Sequence, residues 1–328
     1  MKRVAASLIV GALVLVPMFR DSLAGQTAGL AAGRVSHVGV TVRDIDAALQ
    51  AYSRVMGFVV PNAHVSSVEA PDGRKVEFKS ATLYMQNFHI EVHEPVSNYG
   101  PYYDFLQTYG QGIQHVGIAI PGEGSVDDYR QELEKQGGEW TLGTAGRHFA
   151  YVDMQKALGT TLEVVRDQPL HPATPVTPAG PLPRLAALKA NHVGFAVTDN
   201  AVVSRAFATA LGITPPTVRD YKDSQYPPGH GWNMGAYLRN ASWNQGPLRL
   251  ELIESVGGPT PWSAFVEIRK GTAVQHLAID VGVGDQLTQQ IRDMQRKGGK
   301  WTNGKEGGAY AYLEFMDTLG LIFELNAR

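Results

Sequence analysis

The chain has 328 residues, 44% of them hydrophobic and 18% charged, with a formal charge of -2. That length suits two ordinary domains, and a near-neutral charge without a basic run argues against a nucleic-acid partner. With no cysteine, disulfides, lipidation and thiolate metal sites are excluded, so any metal must be held by nitrogen and oxygen.

In chain order, Lys2 and Arg3 precede an apolar run from Val4 to Met18, then Ser22 and Ala24 at small-x-small spacing. This is the pattern of a secretory signal, residues 1–24, with cleavage expected after Ala24 and a secreted or periplasmic mature protein. The apolar run is shorter than the roughly 20 residues a membrane span needs, so no stable membrane insertion is expected after cleavage.

The mature chain begins with a strand, "HVGVTV". It leads into "RDIDAALQAYSRVMGF", where Ile45, Ala48, Leu49, Tyr52, Val55 and Met56 fall at helical spacing and Gly57 ends the helix. Strand-like segments follow, the last being "NFHIEVHEP". "HVGIAI" opens a second such unit, with the helix "SVDDYRQELEKQGG" and the closing strand "TTLEVVR". The order strand, helix, then about three strands makes a βαβββ module, with its helix on one face of the sheet.

Then the chain repeats. Gly137, Gly138, Trp140, Thr141, Gly143, Gly146, Ala150, Tyr151, Leu158, Gly159 and Glu163 recur, without a gap, as Gly298, Gly299, Trp301, Thr302, Gly304, Gly307, Ala311, Tyr312, Leu319, Gly320 and Glu324. The halves read as domains over 34–166 (modules 34–95 and 112–166) and 190–328 (modules 190–255 and 273–328). A proline-rich linker joins them over 167–189.

A histidine opens each module: His37, His115, His192 and His276. Strand side chains alternate between faces, so each histidine points away from the helix, with Gly or Ala next along its own face. Each closing strand carries a glutamate between apolar neighbours: Glu91, Glu163, Glu251 and Glu324. A carboxylate so placed points inward and needs a cation, because burying it unpaired is costly. Each half therefore offers two imidazoles and two carboxylates, a set suited to divalent Zn, Fe, Mn, Co or Ni.

These segments make the chain similar to the vicinal oxygen chelate superfamily, which includes glyoxalase I, methylmalonyl-CoA epimerase, extradiol dioxygenases and bleomycin-resistance proteins. "HVGVTVRDIDAALQAYSRVMGF", "FHIEVHEP" and "LGTTLEVV" look most like the glyoxalase and epimerase branch. The resemblance implies an α+β fold of two tandem domains, each of two βαβββ modules forming a cupped mixed sheet around a divalent metal. It implies that the four histidines and four glutamates are ligands, and that Glu163 and Glu324 also move a proton. It implies a small-molecule substrate whose adjacent oxygens chelate the metal.

Three functions stand open: an isomerase, epimerase or lyase; an extradiol-type dioxygenase; and a non-catalytic binding or resistance protein. Glu251 counts against the dioxygenase, which would use His192, His276 and Glu324, because a fourth protein ligand leaves less room for catechol plus oxygen. Tyr221, Tyr226, His230, Trp232 and Trp243 either line a substrate pocket or simply cover the sheet mouth. Glu69 is an acidic candidate where epimerases carry a second glutamate, though it also reads as a surface residue. Coenzyme A and glutathione substrates are cytosolic, so export separates this chain from the named activities of that branch. Four modules in one chain fit a monomer, with a homodimer as the alternative.

Overall fold

The computed structural model describes residues 30–121, 125–143, 146, 148–167, 171–178, 180–222, 237–283 and 285–328. The first half runs β1 (Arg34–Thr41), α1 (Ile45–Met56), β2 (His64–Glu69), β3 (Lys75–Tyr84), β4 (His89–Pro95), α2 (Pro101–Tyr109), β5 (Gly112–Ile120), α3 (Val126–Lys135), β6 (Glu139–Leu142), β7 (Phe149–Asp153), α4 (Gln155–Leu158) and β8 (Thr161–Arg166). The second runs β9 (Ala190–Val197), α5 (Asn200–Leu211), β10 (Arg219–Lys222), β11 (Tyr237–Gln245), β12 (Leu248–Val256), α6 (Pro261–Ile268), β13 (Ala273–Asp280), α7 (Asp285–Arg296), β14 (Lys300–Gly304), β15 (Tyr310–Phe315), α8 (Met316–Leu319) and β16 (Leu321–Asn326).

Each half folds into one curled eight-stranded mixed sheet, ordered β2-β3-β4-β1-β5-β8-β7-β6 and β10-β11-β12-β9-β13-β16-β15-β14. The two modules of a half join through their opening strands, antiparallel β1 to β5 and β9 to β13. Opening and closing strands of a module run parallel, as in β1 with β4 and β5 with β8. Modules therefore pair within a half, a point the sequence leaves open.

Local chemistry explains the module helices. Asp44 caps α1 by accepting from the Ala47 amide, and Gly57 ends it at φ 90°, a left-handed conformation that favours glycine. Asp199 and Gly212 do the same for α5. The apolar stripe of α1 packs on the sheet face that carries Val38, Val40, Ile90 and Val92, all fully buried. One continuous core runs through both halves. Tyr52 of α1 donates to the Leu319 carbonyl at 3.1 Å, so the helix-covered faces of the two sheets meet.

The proline-rich stretch is more than a tether. Its Thr174 and the backbone of Tyr84 bond each other in both directions at 2.9 Å. Val176 forms a bridge with Phe58, and Leu185 and Ala186 are buried in a 3-10 turn. Proline keeps this segment out of a ladder, yet its remaining amides still dock on the first domain. No helix among the described residues is long and apolar enough to cross a membrane. The expected signal peptide lies outside the described residues.

Candidate metal centres

Two clusters form, His37, Glu91, His115 and Glu163 in the first half and His192, Glu251, His276 and Glu324 in the second, each with one ligand atom per residue within 4.8 Å of the others. Opening strands supply the histidines and closing strands the carboxylates. In the first centre His37 Nε2 lies 2.6 Å from Glu163 Oε2, His115 Nε2 3.3 Å from the same oxygen, and 3.9 Å from Glu91 Oε2. In the second, His192 Nε2 lies 2.8 Å from Glu324 Oε2 and 3.2 Å from Glu251 Oε2. His276 Nε2 lies 3.2 and 3.6 Å from the same two oxygens. Donors at about 2.0–2.2 Å from one divalent ion stand roughly 3 Å apart, so both clusters have the required spacing.

The packing that brings the rings together is cross-strand. Gly39 faces His115, Gly117 faces His37, and Gly194 faces His276. A Cβ built on any of these glycines would overlap the facing imidazole, well inside the 3.0 Å that real Cβ atoms keep. The sequence pattern correctly places a small residue by each histidine, but the space serves the ring from the opposite strand. His192 faces Ala278 in the fourth instance.

Four β-bulges complete the arrangement, and the sequence reading missed them. The registers skip Ser36, Gln114, Asn191 and Gln275, each the residue just before a histidine. A bulge re-aims a side chain that would otherwise point to the opposite face. Here each polar residue turns toward its histidine's Nδ1: Ser36 Oγ at 2.9 Å, Gln114 Oε1 at 2.7 Å, Asn191 Oδ1 at 2.7 Å and Gln275 Oε1 at 3.0 Å. The amide oxygens of Gln114 and Gln275 only accept, so Nδ1 of His115 and His276 carries the proton and Nε2 turns its lone pair to the cluster; at His192 the Arg249 guanidinium also lies 3.0 Å from Nδ1. Ser36 donates onward to the Gly117 carbonyl, Gln114 to Thr161 and Asn191 to Asp280.

The electrostatics fit a cation. Burial opposes charge on the four carboxylates and on His37, His115 and His192. Even so, the imidazoles hold Glu163 and Glu324 down to about 2, and hold Glu91 and Glu251 well below the usual carboxylate range. Burial also opposes a proton on His192, but Glu324 and Glu251 outweigh it and raise its pKa to about 9. For His115 burial wins and lowers it to about 4. His115 Nε2 is fully buried with no hydrogen-bond partner and points into the first cluster. An orphaned nitrogen among two carboxylates and a second imidazole is what a metal ligand looks like without its ion.

The surroundings of the two centres differ. His89 stacks on His37 at 4.5 Å between ring centroids, and His93 lies 3.2 Å from Glu91 Oε2. Both share the cup-facing phase of Glu91, the signal by which the sequence could have identified them. Their register counterparts beside Glu251 are Arg249 and Ile253. Helix α2 seats Tyr102 against His93 and Tyr151, while α6 seats Trp262 against Tyr312, whose hydroxyl donates to Glu324 at 3.0 Å.

The remaining sequence candidates scatter. Trp243 pairs with core-facing Leu250 and packs on Phe207 of α5, so it sits on the helix face rather than in the cup. Glu69 is exposed at the end of β2, opposite Lys75, one residue out of phase with cup-facing Val68. Tyr221 is 39% exposed on β10 and opposes Leu238, part of the apolar cluster around Tyr312. Tyr226, His230 and Trp232 lie outside the described residues.

Residues 36–151 and 191–312 each match the family described as glyoxalase/bleomycin resistance protein/dioxygenase superfamily. The chain belongs to this superfamily. Its duplicated superfamily domains account for the two curled sheets and for a divalent-metal site in each. Among curated proteins none matches the chain. Among solved structures, a mutant of 4-hydroxymandelate synthase from Streptomyces coelicolor is similar over 90% of this chain and 94% of that one, with 15% identity and a TM-score of 0.58. A xylose isomerase-like TIM barrel/4-hydroxyphenylpyruvate dioxygenase fusion protein aligns over 90% of this chain and 49% of its own, with 12% identity and a TM-score of 0.49. At such identities the first likeness shows a shared fold; members of the superfamily are usually metal-dependent enzymes.

Proposed function

We propose that the protein is an exported, divalent-metal-dependent isomerase, epimerase or lyase of the glyoxalase and epimerase type, acting on a small substrate with two adjacent oxygens. The observation that carries this reading is the fourth ligand. A ring-cleaving dioxygenase uses two histidines and one carboxylate, leaving room for substrate and oxygen together. Each centre here carries a second carboxylate, Glu91 or Glu251, among the ligand atoms. Four protein donors leave a six-coordinate ion two positions, enough for a chelating substrate and not for oxygen as well.

His37, Glu91, His115 and Glu163 would hold the ion in the first centre, and His192, Glu251, His276 and Glu324 in the second. The bound ion supplies Lewis acidity to the substrate oxygens. The chain's own contribution is proton movement and exclusion of water. Glu163 Oε2 and Glu324 Oε2 each stand within reach of two imidazoles, and each takes the substrate proton and returns it. Tyr312 orients the Glu324 carboxylate through its hydroxyl. Tyr102, Tyr151 and Trp262 are fully or nearly fully buried and close the inner end of each cup to water.

The test is exchange chemistry. Protein loaded in turn with zinc, cobalt, nickel, manganese and iron(II) is incubated in heavy water with chelating hydroxy-acids, ketones and diols. Deuterium entering the carbon beside the chelating oxygens, lost in Glu163→Gln with Glu324→Gln, supports proton transfer. Oxygen consumption with iron(II) and a catechol, without exchange, would replace this reading with the dioxygenase.

A further inference from the structure

The two cups differ at the end nearest the start of β1 and of β9. In the first half a cavity of about 160 Å³ opens there, and its lining includes Tyr84, His89, Ala119, Val165 and the linker's His171 besides the ligands. Rings wall it. His171 lies 4.8 Å from Tyr84, Tyr84 lies 5.2 Å from His89, and His89 stacks on the ligand His37. In the second half Asn244, Arg249, Asp280 and Asn326 hold the places of Tyr84, His89, Ala119 and Val165, by strand register and by spacing from the ligands. The same end of the cup is polar there.

Arg249 shares the cup-facing phase of Glu251, and its contacts fix the placement. A guanidinium nitrogen lies 3.0 Å from His192 Nδ1 and 3.8 Å from Glu251 Oε1, the sides of those two ligands turned away from the cluster. Neither atom satisfies it once a metal is held. A neutral imidazole that gives Nε2 to a metal keeps its proton on Nδ1, and Asn191 Oδ1 stands 2.7 Å away to accept it. Glu251 Oε1 is beyond hydrogen-bond range and already accepts from Asn240 at 2.9 Å. The Arg249 Nε is buried with no partner at all.

A second donor waits at this end. Asn326 follows Glu324 by two residues on the same face and is 6% exposed, yet its Nδ2 has no acceptor. Asp280, the one carboxylate among these four positions, has both oxygens engaged by Asn191 Nδ2 at 3.1 Å. Buried donors of this kind call for acceptors, and a guanidinium binds a carboxylate through two parallel hydrogen bonds. The Arg249 side chain is 28% exposed, so a ligand entering the cup can reach it.

We infer that the second centre selects small chelating substrates that carry a further carboxylate, with Arg249 as the specificity-determining residue, and that the first centre, with His89 in that place, does not. This rests on the chelating-substrate reading above and divides it between the two centres.

The test uses zinc-loaded full-length protein and calorimetric binding of two probes, malate and its amide at the carboxyl distal to the hydroxyl. Both present the same hydroxy-acid chelate and differ in one charge. His115→Ala leaves the second centre to report alone, and His276→Ala the first. The expected result is malate binding about tenfold tighter than the amide in His115→Ala and equal binding of the two in His276→Ala. Adding Arg249→Gln to His115→Ala should abolish the preference while zinc and amide binding are kept, and Arg249→Lys should restore part of it. Equal binding in His115→Ala, a preference that survives Arg249→Gln, or the same preference in His276→Ala would overturn this inference and leave the chelating reading standing. Loss of zinc from the second centre in Arg249→Gln would overturn it by making the arginine a support of the ligands. Failure of both probes to bind at either centre would overturn the chelating reading and this inference together.

Discussion

Gly39→Ala is a one-methyl test of the metal geometry. Gly39 lies in β1, outside the left-handed region, so alanine is compatible with its backbone. The added Cβ would fall on the His115 ring, well under 3.0 Å from it. Carbon contacts relax at about 3.5–4.0 Å, so the ring must withdraw by more than roughly 0.5 Å, while metal–ligand distances tolerate only about 0.2 Å. Disturbing a residue that merely orients a ligand costs about 10–100-fold in metal affinity, so a displaced ligand costs roughly 100-fold or more at this centre. Overpacking lowers stability by about 1–3 kcal/mol, which leaves a folded protein to assay. Competition with a graded series of chelators, read by metal mass spectrometry, should show the first centre weakened and the second unchanged. Unaltered affinity at both centres, in a protein whose circular dichroism matches the unmutated chain, would refute the role given to His115 and the packing argument with it.

Further expectations concern protons, orientation and processing. The raised pKa of His192, about 9 without metal, means that its proton stabilises the metal-free fold below about 6.5, and that this contribution is lost as pH rises through about 9. Metal must displace that proton, so calorimetry at pH 7 in buffers of different ionisation enthalpy should find about one proton released by the second centre, with affinity rising toward pH 9; pH-independent uptake would contradict this. The carboxylate shifts run the opposite way. Glu163 and Glu324, held to about 2, contribute stability above the usual carboxylate range that is lost as pH falls toward 2, visible as acid unfolding of the metal-free protein. Gln114→Ala frees the Nδ1 of His115 and should cost the first centre about 10–100-fold in metal affinity, against no change if the bulge residue is incidental. If residues 1–24 are a cleaved secretory signal, amino-terminal sequencing of protein recovered from its native cell should begin at Gly25, whereas an intact Met1 would refute that expectation.

The metal ligands were legible in the sequence because burial in a strand has a two-residue period. A glutamate between Leu162 and Val164 can only face inward, and fourfold repetition of the pattern singles out eight residues. The module order and the α1 ends were legible for similar reasons: helical spacing, an Asp cap and a glycine stop. The bulges were not. An inserted residue leaves no mark in composition, so nothing in the sequence separates Ser36, Gln114, Asn191 and Gln275 from ordinary strand residues. The face of Trp243, left open in the sequence between pocket wall and sheet cover, depends on register with β12, where it opposes Leu250 and its neighbour Ser242 opposes Glu251. Tyr102 and Trp262 lie on the helices between modules, α2 and α6, and their approach to the cups is a matter of tertiary packing alone. His171 belongs to a stretch read as a linker, and only its docking on Tyr84 brings it to a metal centre.

The most direct measurement is the metal content of the purified protein by mass spectrometry, beside His115→Ala and His276→Ala. Two equivalents of divalent metal, with one lost in each variant, is the predicted result. A protein that retains no divalent metal and takes none up on reconstitution would contradict the assignment of these eight residues as ligands.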